Sequence, residues 1–465
     1  MSSALHYLEL CELSQLIRSR KLSPVEVTQA QLARIEQLDP QLHAYARVTP
    51  ELALAQAREA EQELARGVCR SPLHGIPLAV KDLLWTSDVP TAAGMPIHRD
   101  YLPAEDATVV ARLREAGTVM LGKLQMTEGA FAIHHPSIPD PLNPWGAGHW
   151  AGASSSGSGV AVAAGLSYAS VGSDTGGSIR FPATANGLTG LKPTWGRVSR
   201  HGCFELAASL DHIGPITRSA RDALFLLSTI AGHDPKDPTS LPSVCLEVPG
   251  IEESFRGLRV GIDEEWISQG VDPLIRRALD TVMAIILDGG GSLVRIRMPD
   301  TRAVSGNWEL HCGVQTAVAH ADTYSRHAAE YGPALSRLIE GGRELSAMDY
   351  QRVLLEAQRF TGALESVLGE VDLLLAPVQP YAAPTHGQLA SLAGDPEANR
   401  MLIQFTAPFN VSGHPCISLP CGLTGEGLPI GCQFIAGKGA EALLCRAGMA
   451  LQKVTDWHRL HPPGL

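Results

Sequence analysis

Short apolar runs alternating with helical segments recur from residue 76 into the last forty residues, and this distribution constrains the fold more than any other feature of the 465-residue chain. IPLAV (76–80), TVMLG (118–122), LRVGI (258–262), LVRIR (293–297), VDLLLAP (371–377), CISLP (416–420) and LPIGCQFI (428–435) each have the length and composition of a strand. Between the first two, VVARLREAG has helical spacing and closes at Gly117. Strands dispersed among helices predict an α/β fold, a large mixed β-sheet core flanked by helices. The first 70 residues read differently. Ser23-Pro24-Val25-Glu26 is a capping box with proline at the first helical position, and Val27, Leu32, Ile35 and Leu38 follow at helical spacing, predicting a helix over 24–38. Thr49-Pro50 opens another that ends near Gly67. The expectation is one domain, residues 1–465, whose helical N-terminal part (1–70) packs on the sheet core. GHDPKDPTSLPSV (232–244) is polar and Pro-rich like a linker, but strands resume beyond it.

Composition narrows the class. Apolar residues make up 45% and charged residues 18%, the profile of a globular protein with a large core. A net charge of −11 without any Lys/Arg run argues against a nucleic-acid face. The nine cysteines, Cys245 among them, are odd in number and never spaced C-x-x-C, so neither a disulfide framework nor a zinc site is expected. A reducing cytoplasm fits that usage. The start, MSSALHYLELCELSQ, lacks the basic-then-apolar pattern of a secretory leader, and no long apolar span follows, so a soluble chain without membrane contact is expected. No G-x-x-x-x-G-K-[ST], G-x-G-x-x-G or H-E-x-x-H motif occurs, and no cofactor or metal is expected.

Two serine clusters carry the chemistry. AGASSSGSGV (151–160) has the composition of a flexible linker, yet it runs into a small-residue helix (VAVAAGL), a strand (YASVG) and then SDTGGSIRFP. That path returns the second cluster to the neighbourhood of the first. In Thr175-Gly176-Gly177-Ser178 the glycines permit a turn whose backbone N–H groups converge on one point, as an oxyanion hole requires. An ordinary Gly turn with a solvent-facing serine fits this stretch equally well. A nucleophilic serine also needs a base. No serine sits in a G-x-S-x-G elbow, and none of the 17 histidines has a triad context. Lys81, in the strand-like GIPLAVKDLL, stands out instead, although an isolated lysine at a strand end commonly reaches to solvent.

Taken in order, GIPLAVKD, GASSSGSGVAVAAG, GSDTGGSIRFPA and GLTGLKPTWGRVS resemble the amidase signature family, as do VDLLLAPVQP and FNVSGHPCISLPCG nearer the C-terminus. The spacing agrees, with Ser154 73 residues after Lys81 and 24 before Ser178. The resemblance implies a Ser-cisSer-Lys triad: Ser178 as nucleophile, Ser154, after a cis peptide bond, as the bridging hydroxyl, and Lys81 as base. It further implies oxyanion donors at Thr175, Gly176, Gly177 and Ser178, and loop support from Ser155, Asp174 and Arg180. At an ordinary lysine pKa only about one amine in two thousand is neutral at pH 7. Burial against Leu78, Val80 and Leu83 is expected to lower that pKa.

The sequence departs from the family pattern in ways that bear on substrate. Ala153 and Ser156 replace glycines of the usual GGSSGG, and the segment between Met126 and Asn143, which carries Ala130 on the acyl pocket, is shortened. Ile403 stands where the glutamine-hydrolysing component of the tRNA-dependent amidotransferase has a substrate-binding aspartate. The expected activity is therefore hydrolysis of the C–N bond of a neutral or aromatic amide, anilide or carbamate, in the manner of an aryl acylamidase or urethanase. The alternatives are a hydrolase of a small biuret-type amide and a glutamine-hydrolysing, ammonia-supplying subunit. Phe131, Trp145, Trp150, Phe204 and Leu206 are candidates for an apolar pocket, while His134 and His135 are expected to face solvent. Partners reduce to a small-molecule amide and water, with no nucleic acid or membrane; a homo-oligomer is left open.

Overall fold

A computed structural model describes residues 5–242, 252–392 and 395–465. Cys245, the first four residues and positions 243–244 of the linker-like stretch lie outside the described residues. Strands β1 (Tyr45–Val48), β2 (Pro77–Lys81), β3 (Val119–Leu124), β4 (Ser170–Asp174), β5 (Thr189–Lys192), β6 (His212–Thr217), β7 (Arg259–Ile262), β8 (Ser292–Arg295), β9 (Leu373–Pro377), β10 (Cys416–Leu423) and β11 (Pro429–Ala436) form one 11-stranded sheet. Their order is β1-β3-β2-β4-β6-β5-β10-β11-β9-β7-β8. Pairs β2–β3, β2–β4, β7–β8 and β7–β9 are parallel and the remainder antiparallel, so the sheet is mixed, as the pattern of runs predicts.

The expected helical N-terminal part needs one correction. Ser23 caps the helix Pro24–Leu42 by accepting from the N–H groups of Val25 and Glu26, while Glu26 accepts from Ser23 N–H. The helix Pro50–Ala65 also forms. Between them, however, Tyr45–Val48 is an edge strand antiparallel to β3, too short for its period to be read from sequence. The linker-like stretch is tied down as far as it is described. Asp234 accepts hydrogen bonds from Thr108 and Ser199, and Asp237 from the Arg200 N–H.

Alternation along β2 places its residues in two cores. Leu78 and Val80 pack with residues of the helices Leu10–Arg18, Thr108–Glu115 and Ala220–Ile230; Ala79 packs with the helices Pro24–Leu42, Pro50–Ala65 and Ser156–Ala163. By the same alternation Lys81 lies on the Ala79 side of the sheet, toward the helix that begins at Ser156. The carboxyl ends of the adjacent parallel strands β2 and β4 thus deliver Lys81 and Asp174 to one edge, where α/β sheets commonly hold their ligands. No helix among the described residues is long and apolar enough to cross a membrane.

Candidate active site

Lys81 is fully buried, and its Nζ donates to Ser154 Oγ at 2.6 Å and to Ser173 Oγ at 2.8 Å. The peptide bond Ala153–Ser154 is cis, as the resemblance implies. Burial pushes the Lys81 amine from its ordinary 10.5 down to about 7, against the opposing charges of Asp174 and Asp211. The apolar packing differs from expectation, because Leu78 and Val80 turn to the other face of β2. What desolvates the amine is its enclosure between the two serine-bearing segments, on Ser154 and Ser173.

Ser178 lies at the end of the turn after β4 and is the one partly exposed residue between Ser170 and Arg180. The Ser155 N–H approaches the Ser178 carbonyl at 3.4 Å, so the two serine clusters meet. Among the described residues Lys81 bonds to Ser154, but no hydrogen bond joins Ser154 Oγ to Ser178 Oγ. Ser155 Oγ donates to the Ser173 carbonyl (3.1 Å) and accepts from the Ser173 N–H (3.3 Å), which fixes β4 against the loop.

Asp174 organises the turn. Its carboxylate accepts from the N–H groups of Gly177 (2.8 Å) and Ile179 (3.1 Å), from Arg180 Nε (3.0 Å) and Nη2 (2.9 Å), and from Asn410 Nδ2 (2.8 Å). Burial opposes its ionisation, but the Arg180 guanidinium, Lys192 and the Asn410 amide outweigh that and hold the carboxyl well below the usual range. Arg180 is itself buried and reaches Asn410 Oδ1 (2.7 Å) and the Thr406 carbonyl (3.1 Å). Of the four N–H groups at Thr175 to Ser178, that of Gly177 is taken by Asp174, while those of Thr175, Gly176 and Ser178 have no such internal partner among the described residues. Glycine is required here: a Cβ on Gly176 would lie 2.7 Å from the Trp308 ring, and Gly177 has φ 137° with the Phe181 ring 2.4 Å from its hypothetical Cβ.

Several supports of the turn escape a reading of the sequence. Thr175 Oγ1 donates to Asp211 (2.7 Å), Trp308 Nε1 to the Thr175 carbonyl (2.9 Å) and Thr406 Oγ1 to the Gly176 carbonyl (2.6 Å). Burial raises the Asp211 carboxyl to about 6 despite the Thr175 hydrogen bond. Ser173 had a legible signal, a hydroxyl next to Asp174 on an otherwise buried strand; Asp211, Trp308 and Thr406 come from distant segments and had none.

A narrow cleft of about 20 Å³ runs beside Ser173, lined by Leu83, Ala130, Cys203, Phe204, Asp211 and Ile213 among others. Neither this cleft nor a larger cavity of about 190 Å³, bordered by Arg47, Asp82, Met95, Arg99 and Gln125, is lined by Lys81, Ser154 or Ser178, but the cleft reaches Ser173, which bonds to Lys81. Of the pocket candidates, Ala130 and Phe204 line the cleft. Trp150 packs on Phe181, with ring centroids 5.6 Å apart. Trp145 is committed elsewhere, to the Asn186 carbonyl, while Leu206 is core, its N–H bonded to Asp211. Ile403 is buried in the main core, and its carbonyl accepts from the same Thr406 that holds Gly176. His135 pairs with Ser137 on the surface. His134 is only partly exposed rather than solvent-facing as expected, and its Nε2 is 3.0 Å from Ser156 Oγ. An amine, two hydroxyls and a ring of backbone donors at one sheet edge can move a proton and stabilise an oxyanion.

The chain matches the Amidase family profile over residues 26–445. A Mycobacterium tuberculosis protein provisionally named amidase AmiD is 50% identical over 461 residues, which cover 99% of this chain and 97% of that one. A glutamyl-tRNA(Gln) amidotransferase subunit from Chloroflexus aggregans is 38% identical over 487 residues, 98% of each. A solved structure reported for a vestigial protein complex bearing on the origins of an s-triazine catabolic enzyme superposes with a TM-score of 0.89 at 31% identity, covering 96% of this chain and 98% of that one.

Proposed function

The chain belongs to the amidase signature family and is an amide-hydrolysing enzyme, and from that premise we propose that Ser178 carries the acyl group, with Ser154 and Lys81 as its proton relay. The observation that carries the assignment is the 2.6 Å contact between a fully buried Lys81 and Ser154. With its pKa near 7, a substantial fraction of Lys81 is neutral at neutral pH and able to take the Ser154 proton as Ser154 takes that of Ser178. Ser178 Oγ then bonds to the amide carbon, and the N–H groups of Thr175, Gly176 and Ser178 receive the oxyanion. The relay returns the proton to the nitrogen as the C–N bond breaks; water cleaves the acyl-enzyme and restores Ser178. Asp174, Arg180 and Ser155 hold the loops and touch no reacting atom.

The substrate we infer is a neutral amide, anilide or carbamate whose acyl group meets the cleft at Ala130 and Phe204. The reading calls on no cofactor and places the enzyme in the cytoplasm as one domain. The 38% identity to a glutamyl-tRNA(Gln) amidotransferase subunit favours a second reading, in which the chain releases ammonia from glutamine for a partner. The apolar Ile403 argues against it, because a glutamine ammonium group would have no counter-charge at that position.

A panel of anilides, carbamates, a biuret-type amide and glutamine, assayed with wild type and Ser178→Ala, tests these readings. We expect an aryl amide to lead, glutamine to trail, and Ser178→Ala to lose more than about 10³-fold in kcat while no longer reacting with a serine-directed fluorophosphonate. Glutamine ranking first overturns the substrate assignment. Undiminished turnover by Ser178→Ala overturns the nucleophile.

A further inference from the structure

Ser156, the third serine of the catalytic loop, is buried, and its Oγ lies 3.0 Å from His134 Nε2. His134 belongs to the segment that forms one wall of the cleft. That segment leaves β3, passes through Gly129 (φ 55°) and Ala130 (φ 63°), two consecutive residues in the left-handed region, and turns back toward the catalytic loop. Up to the bend it is tied to other segments at several points: the Thr127 N–H donates to the Ser154 carbonyl (3.2 Å), the Gly157 N–H to the Gln125 carbonyl (2.9 Å), the Gly129 N–H to the Ala93 carbonyl (2.9 Å) and the Gly332 N–H to the Glu128 carboxylate (2.8 Å). Beyond the bend, among the described residues, the hydrogen bonds of positions 131–140 stay within the segment, apart from the one between His134 and Ser156. Ala130 thus lies between a side tied to several other segments and a side whose only hydrogen bond to another segment, among the described residues, is the one His134 makes to Ser156.

The ring suits a neutral contact. Burial pushes His134 down to about 4; Asp140 pulls against this, and the charge of Lys81 adds to it. Its Nδ1 is buried against the Met126 backbone without reaching hydrogen-bond geometry. His134 makes no hydrogen bond to Lys81, Ser154 or Ser178, so any influence it has on the reaction passes through Ser156 and the wall.

We propose that His134 and Ser156 form a latch that fixes the Ala130 wall and makes the enzyme select compact acyl groups, with His134 as a positioning residue. This rests on the assignment of Ser178 as nucleophile. With the latch closed, Leu83, Ala130, Phe204 and Ile213 bound a cleft too narrow for a branched or aromatic acyl group. Releasing it lets the wall at Ala130 retreat, which lowers discrimination without touching the relay. Glycine at 156 lacks the hydroxyl, and a glutamine at 134 keeps a group that can bond to it.

The experiment compares acetanilide with benzanilide in wild type, Ser156→Gly, His134→Ala and His134→Gln. The latch predicts that Ser156→Gly and His134→Ala each reduce the acetyl-over-benzoyl ratio of kcat/KM about tenfold, through the KM of the bulky substrate, and that His134→Gln restores most of it. An equal fall for both substrates, or a ratio unchanged within about twofold, overturns it. The same ratio is read from the rates at which ethyl and octyl fluorophosphonates label Ser178. If no anilide is cleaved but Ser178 is still labelled, the amide assignment fails while the labelling ratio continues to decide the latch.

Discussion

Lys81 and Lys123 sit on neighbouring parallel strands, both fully buried, yet they are held by opposite kinds of partner. Lys123 Nζ is 3.2 Å from the Asp82 carboxylate and donates to the Leu84 carbonyl (2.8 Å), Thr91 Oγ1 (2.7 Å) and Thr86 Oγ1 (3.2 Å). Lys81 meets two hydroxyls and no carboxylate. Carboxylates and carbonyls only accept, so two of the Lys123 partners, Asp82 and the Leu84 carbonyl, favour an ammonium group. Hydroxyls accept or donate, and an amine between two of them is satisfied in either protonation state. Burial lowers the pKa of both amines, but at Lys123 the charge and hydrogen bond of Asp82 oppose the shift directly. Lys123 thus combines burial with an adjacent carboxylate, whereas Lys81 combines burial with hydroxyls that can accept from an ammonium or donate to a neutral amine.

The largest expected effects separate the two lysines. Lys81→Met should lower kcat/KM by about 10³-fold or more, the range of a lost general base, while the protein stays folded. Lys123→Met leaves Asp82 buried without its cation and should cost roughly 3–5 kcal/mol of stability, with kcat/KM per folded molecule nearly unchanged. Activity assays beside denaturant melts read both. If Lys123→Met loses activity at full stability, or Lys81→Met unfolds while the folded fraction keeps turnover, the contrast fails.

The pH dependence sharpens it. In wild type kcat/KM should rise through pH about 7 as Lys81 loses its proton, then level off. Stability moves in the same direction. The folded pKa lies below the unfolded one, so between about 7 and 10.5 the unfolded chain holds more protons and stability from this group rises with pH. Relative to wild type, Lys81→Met is therefore most favoured below pH 7, and its advantage shrinks toward pH 10.5. An advantage independent of pH would mean that Lys81 is not desolvated.

Much of this was legible in the chain. The strand runs located seven of the eleven strands, since long apolar stretches keep their period, and a further run, YASVG, fell two residues short of β4. The missed strands β1, β5 and β6 are short or polar at their ends. Lys81, Ser154 and Ser178 were singled out because the motifs around them, GIPLAVKD, GASSSGSG and GSDTGGSIRFPA, resemble those of the amidase signature family at the same spacing. Two errors share a cause. Lys123 and Lys192 also end up buried in strands, and neither was singled out, because what distinguishes the three amines is the partner brought by another segment: Asp82 for one, the His414 carbonyl for another and Ser154 for the third. His134 was assigned to solvent for the same reason, its partner lying 22 residues away in the catalytic loop.

The smallest effect tests the second hydroxyl on Lys81. Ser173 Oγ accepts from Nζ at 2.8 Å, a hydrogen bond stronger to an ammonium than to a neutral amine. Ser173→Ala removes that preference, so the Lys81 pKa should fall further and the acid limb of the pH profile should move to lower pH. Plateau kcat should drop only about tenfold or less, because Ser154 still orients the amine. A limb that moves upward instead would mean that Ser173 stabilises the neutral amine by donating to it, which makes Ser173, rather than Ser154, the hydroxyl from which Lys81 draws its proton.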